Sequence, residues 1–433
     1  MIKYLIFIAS LLLIPTGIIQ AQNLTINPYS RYGVGLIFHN SSGRNASMGG
    51  IGIGTANFTS VNRLNPASYV DVFRTSLDLS GFYQFSRFVS DDAAESQNTA
   101  GFQNISFVFP STRQRFSIAF GFSPYSAVGY EINDFNEVEL EDTTHINVSS
   151  YSGRGGLNQG FVGFGLRISK KFRAGANFAY TFGNTRYDWL SYIQNQGSED
   201  PLVPDPLYRP VSITQKIFVR GLGGQLGVQY ADTLHRKSKT LLRLGATIDY
   251  NLEMKASRLT EYSNSSVLDT LFNSEEDGTI LIPPTFGVGF EFTRPLNWSF
   301  GVDISYQNWR NFTFFQDSVF GAASLRFRAG GEYIPKYNDL KYFKRVAYRA
   351  GVYRLQTALE FNDRPITDWG VTFGFGFPTS LRKSTIFSSA RINAGFQLGK
   401  RGSLVYHPMA EWYGRFQLGI TVSELWFFKR EVD

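Results

Sequence analysis

Charged residues recur in this chain at every second position of alternating stretches, where they could meet across a shared interior. Arg243, Asp249, Glu291, Asp303, Arg326, Arg328, Glu332 and Arg349 all sit on the small-residue side of such stretches, joined by Arg167, Arg173 and Arg391. Charges in an enclosed polar space pair with one another, because an unpaired buried charge is costly. The excess of arginine also offers an anionic head group a bidentate partner. Catalysis is harder to assemble from this chain. Its four histidines, His39, His145, His235 and His407, show no metal-ligand spacing. No Gly-x-Ser-x-Gly elbow leads into a helix. The run Gly50-Ile51-Gly52-Ile53-Gly54 lacks the helix and the Lys-Ser/Thr of a phosphate loop, so it reads as packing glycine. With no cysteine, thiolate sites, disulfides and a lipid anchor are excluded. No catalytic, cofactor or metal residue is expected.

The elements that position these charges are β-strands. Phe286, Val288, Phe290 and Phe292 alternate with Gly287, Gly289 and Glu291, and a turn at Arg294-Pro295-Leu296-Asn297 follows. Trp298, Phe300, Val302, Ile304 and Tyr306 then alternate with Ser299, Gly301, Asp303 and Ser305. One bulky apolar face and one small or polar face predict a sheet with unlike sides. A soluble sandwich turns the bulky face inward, whereas an outer-membrane barrel turns it to lipid. The pattern repeats through Phe116–Phe122, Val162–Ile168, Ala174–Phe182, Leu242–Tyr250, Val371–Phe377, Ile392–Leu398 and Phe416–Val422. With weaker runs near 75–88, 101–110, 209–230, 320–334 and 344–360, the tally is about 14 strands, an even number as in bacterial barrels. No helix layer remains to cover such a sheet, so closure is the expected solution: an all-β, transmembrane antiparallel barrel.

Connection lengths sort by parity. Ser111–Arg113, Ser169–Lys171, Asp232–Lys239, Arg294–Asn297, Pro335–Phe343 and Pro378–Thr385 form a short, basic set. Val89–Ala100, Ala127–Val148, Asp188–Arg209 and Leu259–Ile280 form a long, acidic set, expected as extracellular loops. In the third of these, Trp189, Leu190, Tyr192 and Ile193 are apolar enough to line a ligand-capture groove, or to pack on themselves. Met1–Ala21 reads as a secretory signal, with Lys3, an apolar run Tyr4–Ile19, and a cut ahead of Gln22. Its removal takes the formal charge from +7 to +6, and no basic stripe accompanies that excess, so nucleic acid is not an expected partner.

Between the signal and the first strand lies a compact, glycine-rich segment, Asn27–Ser68, too apolar for a solvated tail and without sustained alternation. It needs an enclosure, and a barrel lumen supplies one. Residues 22–70 are therefore expected as a luminal hatch and 71–433 as the barrel, its strands running from about Thr75 to Phe428.

These segments, in this order, resemble the FadL-type outer-membrane transporters of hydrophobic compounds and long-chain fatty acids, and more closely the branch common in Bacteroidota. Gly43-Arg44-Asn45-Ala46-Ser47-Met48-Gly49-Gly50, then Asn65-Pro66-Ala67, resembles that family's hatch. Phe116–Tyr125 resembles its third strand with a Pro-aromatic step, Gly156–Asn184 its fourth and fifth strands, and Pro283–Trp309 a later hairpin. Asn27–Gly33 and Leu425–Arg430 resemble the Bacteroidota branch alone. The resemblance implies a 14-strand barrel that takes up a hydrophobic small molecule passively. The ligand would pass a hatch formed by Arg44, Ala46, Gly49, Gly50, Asn65, Pro66 and Ala67 and leave sideways at Gly121, Ser123 and Pro124. Pro124 lacks an N–H and cannot complete a ladder bond, so it either breaks the pairing or ends the strand there. Expected partners are outer-membrane lipid, the hydrophobic ligand and other outer-membrane proteins. The alternative is a non-transport barrel subunit of a larger outer-membrane secretion or assembly machine. If Arg44 and the Asn65-Pro66-Ala67 turn hold the plug, one of Asp249, Glu291, Asp303 or Glu332 is expected to touch it.

Overall fold

The computed structural model describes residues 24–38, 41–91, 93–140, 143–195, 202–235, 237, 239–264, 270–315, 321–379 and 388–424. The signal segment, His39, Phe428 and the Leu425–Arg430 ending lie outside them. Among the described residues, fourteen antiparallel strands close into one barrel. They are β1 Thr75–Val89, β2 Ala94–Pro110, β3 Phe116–Leu140, β4 Thr143–Arg167, β5 Phe172–Ile193 and β6 Val211–His235. Next come β7, in two parts (Thr240–Asn251 and Met254–Asn264), and β8, also in two parts (Thr270–Leu281 and Thr285–Arg294). The set ends with β9 Trp298–Asn308, β10 Ala323–Tyr333, β11 Ala347–Phe361, β12 Arg364–Pro378, β13 Ser388–Arg401 and β14 Ala410–Glu424. Closure is continuous from Ala410↔Val89 to Glu424↔Thr75, where β14 meets β1. No sheet edge is left at that join.

The side-chain alternation is inverted relative to a soluble sheet. On β9, Phe300, Ile304 and Tyr306 are exposed, while Ser299, Asp303 and Ser305 are buried. The same holds on β3, where Phe116, Ile118, Phe120 and Phe122 face out and Ser117 and Ala119 face in. A band of outward Phe, Leu, Ile and Val around a polar interior is the arrangement a lipid environment selects. No helix among the described residues is long and apolar enough to cross a membrane; the crossing elements are strands.

The barrel is much taller on one side. β3, β4 and β6 each run 25 residues and β5 runs 22, against 11 for β9 and β10. A spanning strand needs about 9–11 residues, so more than half of β3–β6 stands beyond the apolar band. This corrects the loops expected at Val89–Ala100, Ala127–Val148 and Leu259–Ile280, which are mostly strand. β1 and β2 join through a tight turn in which Ser90 N donates to Ala93 O at 2.8 Å. Trp189, Leu190, Tyr192 and Ile193 are corrected likewise. They lie on β5, laddered to β4 as far as Asn147↔Ile193. Above the membrane both faces of a strand are wet, so the alternation that marks a strand within it fades.

Residues 41–74 thread the lumen. Their apolar side chains Met48, Ile51, Ile53, Tyr69 and Val70 are almost fully buried. With the inward faces of the strands they form one part of the core, and Val34, Leu157, Met254, Ile280, Trp309 and Phe312 belong to another.

Candidate functional site

The lumen segment is a chain of capped turns pinned to the wall. Ser42 caps the short helix Gly43–Ala46, accepting from Asn45 N at 3.4 Å. That helix delivers Arg44 to Glu332 of β10, with Nη2 to Oε1 at 3.0 Å and Nε to Oε2 at 3.3 Å. Arg349 of β11 bonds the same carboxylate at 2.7 Å and Asn393 at 2.7 Å. Burial opposes the charge on Arg44, but the Glu332 carboxylate outweighs it and holds the guanidinium above its ordinary pKa.

The Gly49–Gly54 run follows. Gly49 and Gly50 take φ of 68° and 80°, the left-handed region that a side chain disfavours. Gly49 N donates to Thr372 Oγ1 at 2.8 Å, and Gly50 O accepts from Arg328 Nη1 at 3.1 Å. Asp303 then accepts three successive backbone N–H groups, from Gly52 at 2.6 Å, Ile53 at 2.8 Å and Gly54 at 3.4 Å. A carboxylate on a row of backbone amides is a charge-assisted clamp.

Past it, Asp78 of β1 accepts from Val61 N and from Thr421 Oγ1. Arg63 donates to Ser123 of β3 and Gln159 of β4, and burial pushes its pKa down. Asn65 caps the 3-10 turn Pro66–Asp71 and also ties Ile53 O at 2.8 Å to Val228 O at 3.2 Å. Asp71 closes the segment on Arg173 at 2.8 Å and Arg167 at 3.1 Å, with Arg243 at 3.8 Å. Arg243 itself bonds Glu291 at 3.4 Å and Ala56 O at 3.1 Å.

Arg44, Ala46, Gly49, Gly50, Asn65, Pro66 and Ala67 thus lie together inside the lumen, against Glu332, Asp303, Glu291, Arg243, Arg328 and Arg349. Asp249 and Arg326 stand apart from these clamps, lining a small cavity beside Arg63 and Tyr125. Gly121, Ser123 and Pro124 lie where β3 leaves β2, and Ser123 is fully buried under Arg63. Trp189, Leu190 and Ile193 are half-buried and Tyr192 buried on the tall part of β5. Sequence reasoning missed Asp71, Asp78, Arg63 and Glu411. Asp78 and Glu411 occupy the inward parity of β1 and β14 and were legible by the same alternation. Asp71 and Arg63 lie in irregular chain and carry no such signal.

The tall end is also closed. Asn27 Nδ2 donates to Glu411 at 2.5 Å, Tyr29 OH to Met409 O at 2.5 Å, and Tyr187 OH to Gly33 O at 3.3 Å. At the short-turn end a cavity of about 760 Å³ opens below the Arg44–Glu332 and Arg243–Glu291 pairs, edged by Pro295, Leu296 and Tyr337.

A closed barrel with outward apolar side chains and a lumen filled by its own amino-terminal chain defines a plugged barrel of the outer-membrane class. Solved structures share this fold. A FadL homologue of Pseudomonas aeruginosa matches with a TM-score of 0.62 at 10% identity, over 90% of this chain and 99% of its own. The CymD monoaromatic hydrocarbon channel matches at 0.56 and 14%, over 91% and 99%. The toluene transporter TodX of P. putida matches at 0.56 and 14%, over 91% and 100%. No curated protein matches by sequence. A family model described as BamG matches residues 1–433, and the chain belongs to the BamG family. Neither this family nor the FadL-like barrels are enzymes.

Proposed function

We propose that this chain is a barrel subunit of the BAM machine, which assembles outer-membrane β-barrels, and that its lumen is a fixed structural core. The observation that carries this reading is the way the plug is held. Buried carboxylates on β1, β9 and β10 grip it at Val61, at Gly52–Gly54 and at Arg44. Moving the plug would strip Asp303 and Asp78 of their backbone donors and leave Arg44 without its carboxylate, each a costly loss in a buried site. The family assignment agrees with this reading. Export by Met1–Ala21, residence in the outer membrane, and association with other barrel proteins there all follow from it.

Passive uptake of a hydrophobic compound is the second reading. The lapse of β2–β3 pairing beyond Ile105↔Phe122 favours it, as a sideways exit at Gly121, Ser123 and Pro124 would use that lapse. Isolation from the native outer membrane in mild detergent separates the two. A subunit is expected to come away in fixed ratio with other components of the machine. A lone barrel carrying an extractable hydrophobic molecule would overturn the proposal.

A further inference from the structure

The seam between β2 and β3 has an occupant. β2 stays laddered to β1 from Asn104 to Ala94, and β3 to β4 from Ser123 to Leu140, but above Ile105↔Phe122 no pairing joins β2 to β3 among the described residues. Ser126, Ala127 and Val128 are nonetheless fully buried there, and buried peptide groups need a partner. Residues 24–38 meet it at two places, around Asn27–Ser30 in a 3-10 turn and at Leu36–Phe38, which runs antiparallel to β3, while the bend between them turns into the barrel mouth. Asn27 N donates to Gly129 O at 2.6 Å, and Ser30 Oγ accepts from Gly129 N at 2.9 Å. Ser126 Oγ donates to Val34 O at 2.7 Å. Leu36 then pairs with Ala127 and Ile37 with Ser126, and Phe38 N donates to Tyr125 O at 2.9 Å. On the β2 side, Leu24 lies against Gly101 and Gln103 Nε2 donates to Ser41 O at 3.0 Å.

The fit is selective at one point. Gly35 has φ of 88°, and a Cβ there would run into the Ala127 carbonyl. The hold is also unlike that of the plug below. Backbone and hydroxyl bonds dominate along β3, and only two residues form true ladder pairs. We propose that the Tyr125–Gly129 edge of β3 is a strand-binding site, filled in cis by residues 24–38 and able to take the same strand in trans. Its ligand class is a peptide with an extended apolar end opposite Ala127 and Ser126, a glycine just before that end and a hydroxyl side chain bonded to Gly129. This is the β-augmentation mode of recognition, turned inward. It does not depend on membership of any machine, because both the edge and its occupant belong to this chain.

The test uses the mature chain and a variant lacking residues 24–38, each checked for barrel closure by heat-modifiable gel mobility. A fluorescent peptide of residues 24–38 is titrated against both. The shortened barrel should bind it saturably, and the full chain at least about tenfold more weakly, a difference of one decade in Kd. A peptide with valine at the Gly35 position should lose about as much. A closed, shortened barrel that fails to bind, or a full chain that binds equally well, overturns the proposal. If the shortened chain does not close, the full chain serves, since it has no native cysteine. Ala127→Cys lies buried under the strand, and its maleimide labelling should speed up about tenfold when Gly35→Val is added. An unchanged labelling rate in that folded pair overturns the proposal too.

Discussion

Glu332 sits between two guanidiniums, with Arg44 of the plug at 3.0 Å and Arg349 of the wall at 2.7 Å. The two sides of this cluster are unequal. If Arg44 is lost, Glu332 keeps Arg349, and the charge that stays buried is still compensated. If Glu332 is neutralised, two buried guanidiniums face each other with no carboxylate between them. Glu332→Gln should therefore cost about 3–5 kcal/mol, and Arg44→Ala about 2 kcal/mol, the value of a hydrogen bond to a charged group. Urea titration of the barrel refolded into vesicles measures both. Equal losses would show that the pair, not the triad, is the unit. At this scale the sequence was half legible. Alternation alone places Glu332, Arg349, Asp303 and Arg243 on the inward face. It does not say that Glu332 meets a residue 288 positions away, because such a contact is set by how far each strand is staggered in the closed barrel.

The plug can lie so close to the wall because the wall is bare where they touch. At Gly245 on β7 a Cβ would strike the Ile53 carbonyl, at Gly330 on β10 the Met48 carbonyl, and at Gly351 on β11 the backbone of Gly49. These glycines line the inward side of three strands and let backbone pack on backbone. Gly351→Val should therefore lift the Met48–Gly50 stretch off the wall while leaving the outward face unchanged. The expected result is a barrel with normal heat-modifiable mobility whose Arg44 becomes sensitive to trypsin. Continued resistance would mean that the plug tolerates the displacement. The wall glycines were visible in the sequence as the small partners of alternating strands, but their purpose was not, since the irregular chain facing them has no periodicity to match. The tall halves of β3 to β6 were misread for a related reason. Asp134, Glu137 and Glu139 stand on β3 beyond the apolar band and are exposed. A strand wet on both faces shows no apolar stripe, and its acidic composition imitates a loop.

At the scale of the whole molecule, closure is threefold: the ladder joins β14 to β1, the plug fills the lumen, and residues 27–33 cross the tall end. A passage would need the last two to part together, and they are held by different means. The tall end rests on Asn27–Glu411 and Tyr29–Met409 contacts, the lumen on the Asp303 clamp and the Glu332 triad. Loosening one alone leaves the other shut. In planar bilayers the intact chain should therefore show no steady conductance, and Glu332→Gln combined with Asp303→Asn should stay shut as well. Adding a deletion of residues 24–38 to that pair should produce a sustained open level. The order matters for interpretation, because a barrel evolved for uptake would be expected to open with fewer interventions. Sustained conductance from the unaltered chain would show that the plug and the crossing segment do not seat as described. It would also return the uptake reading to first place.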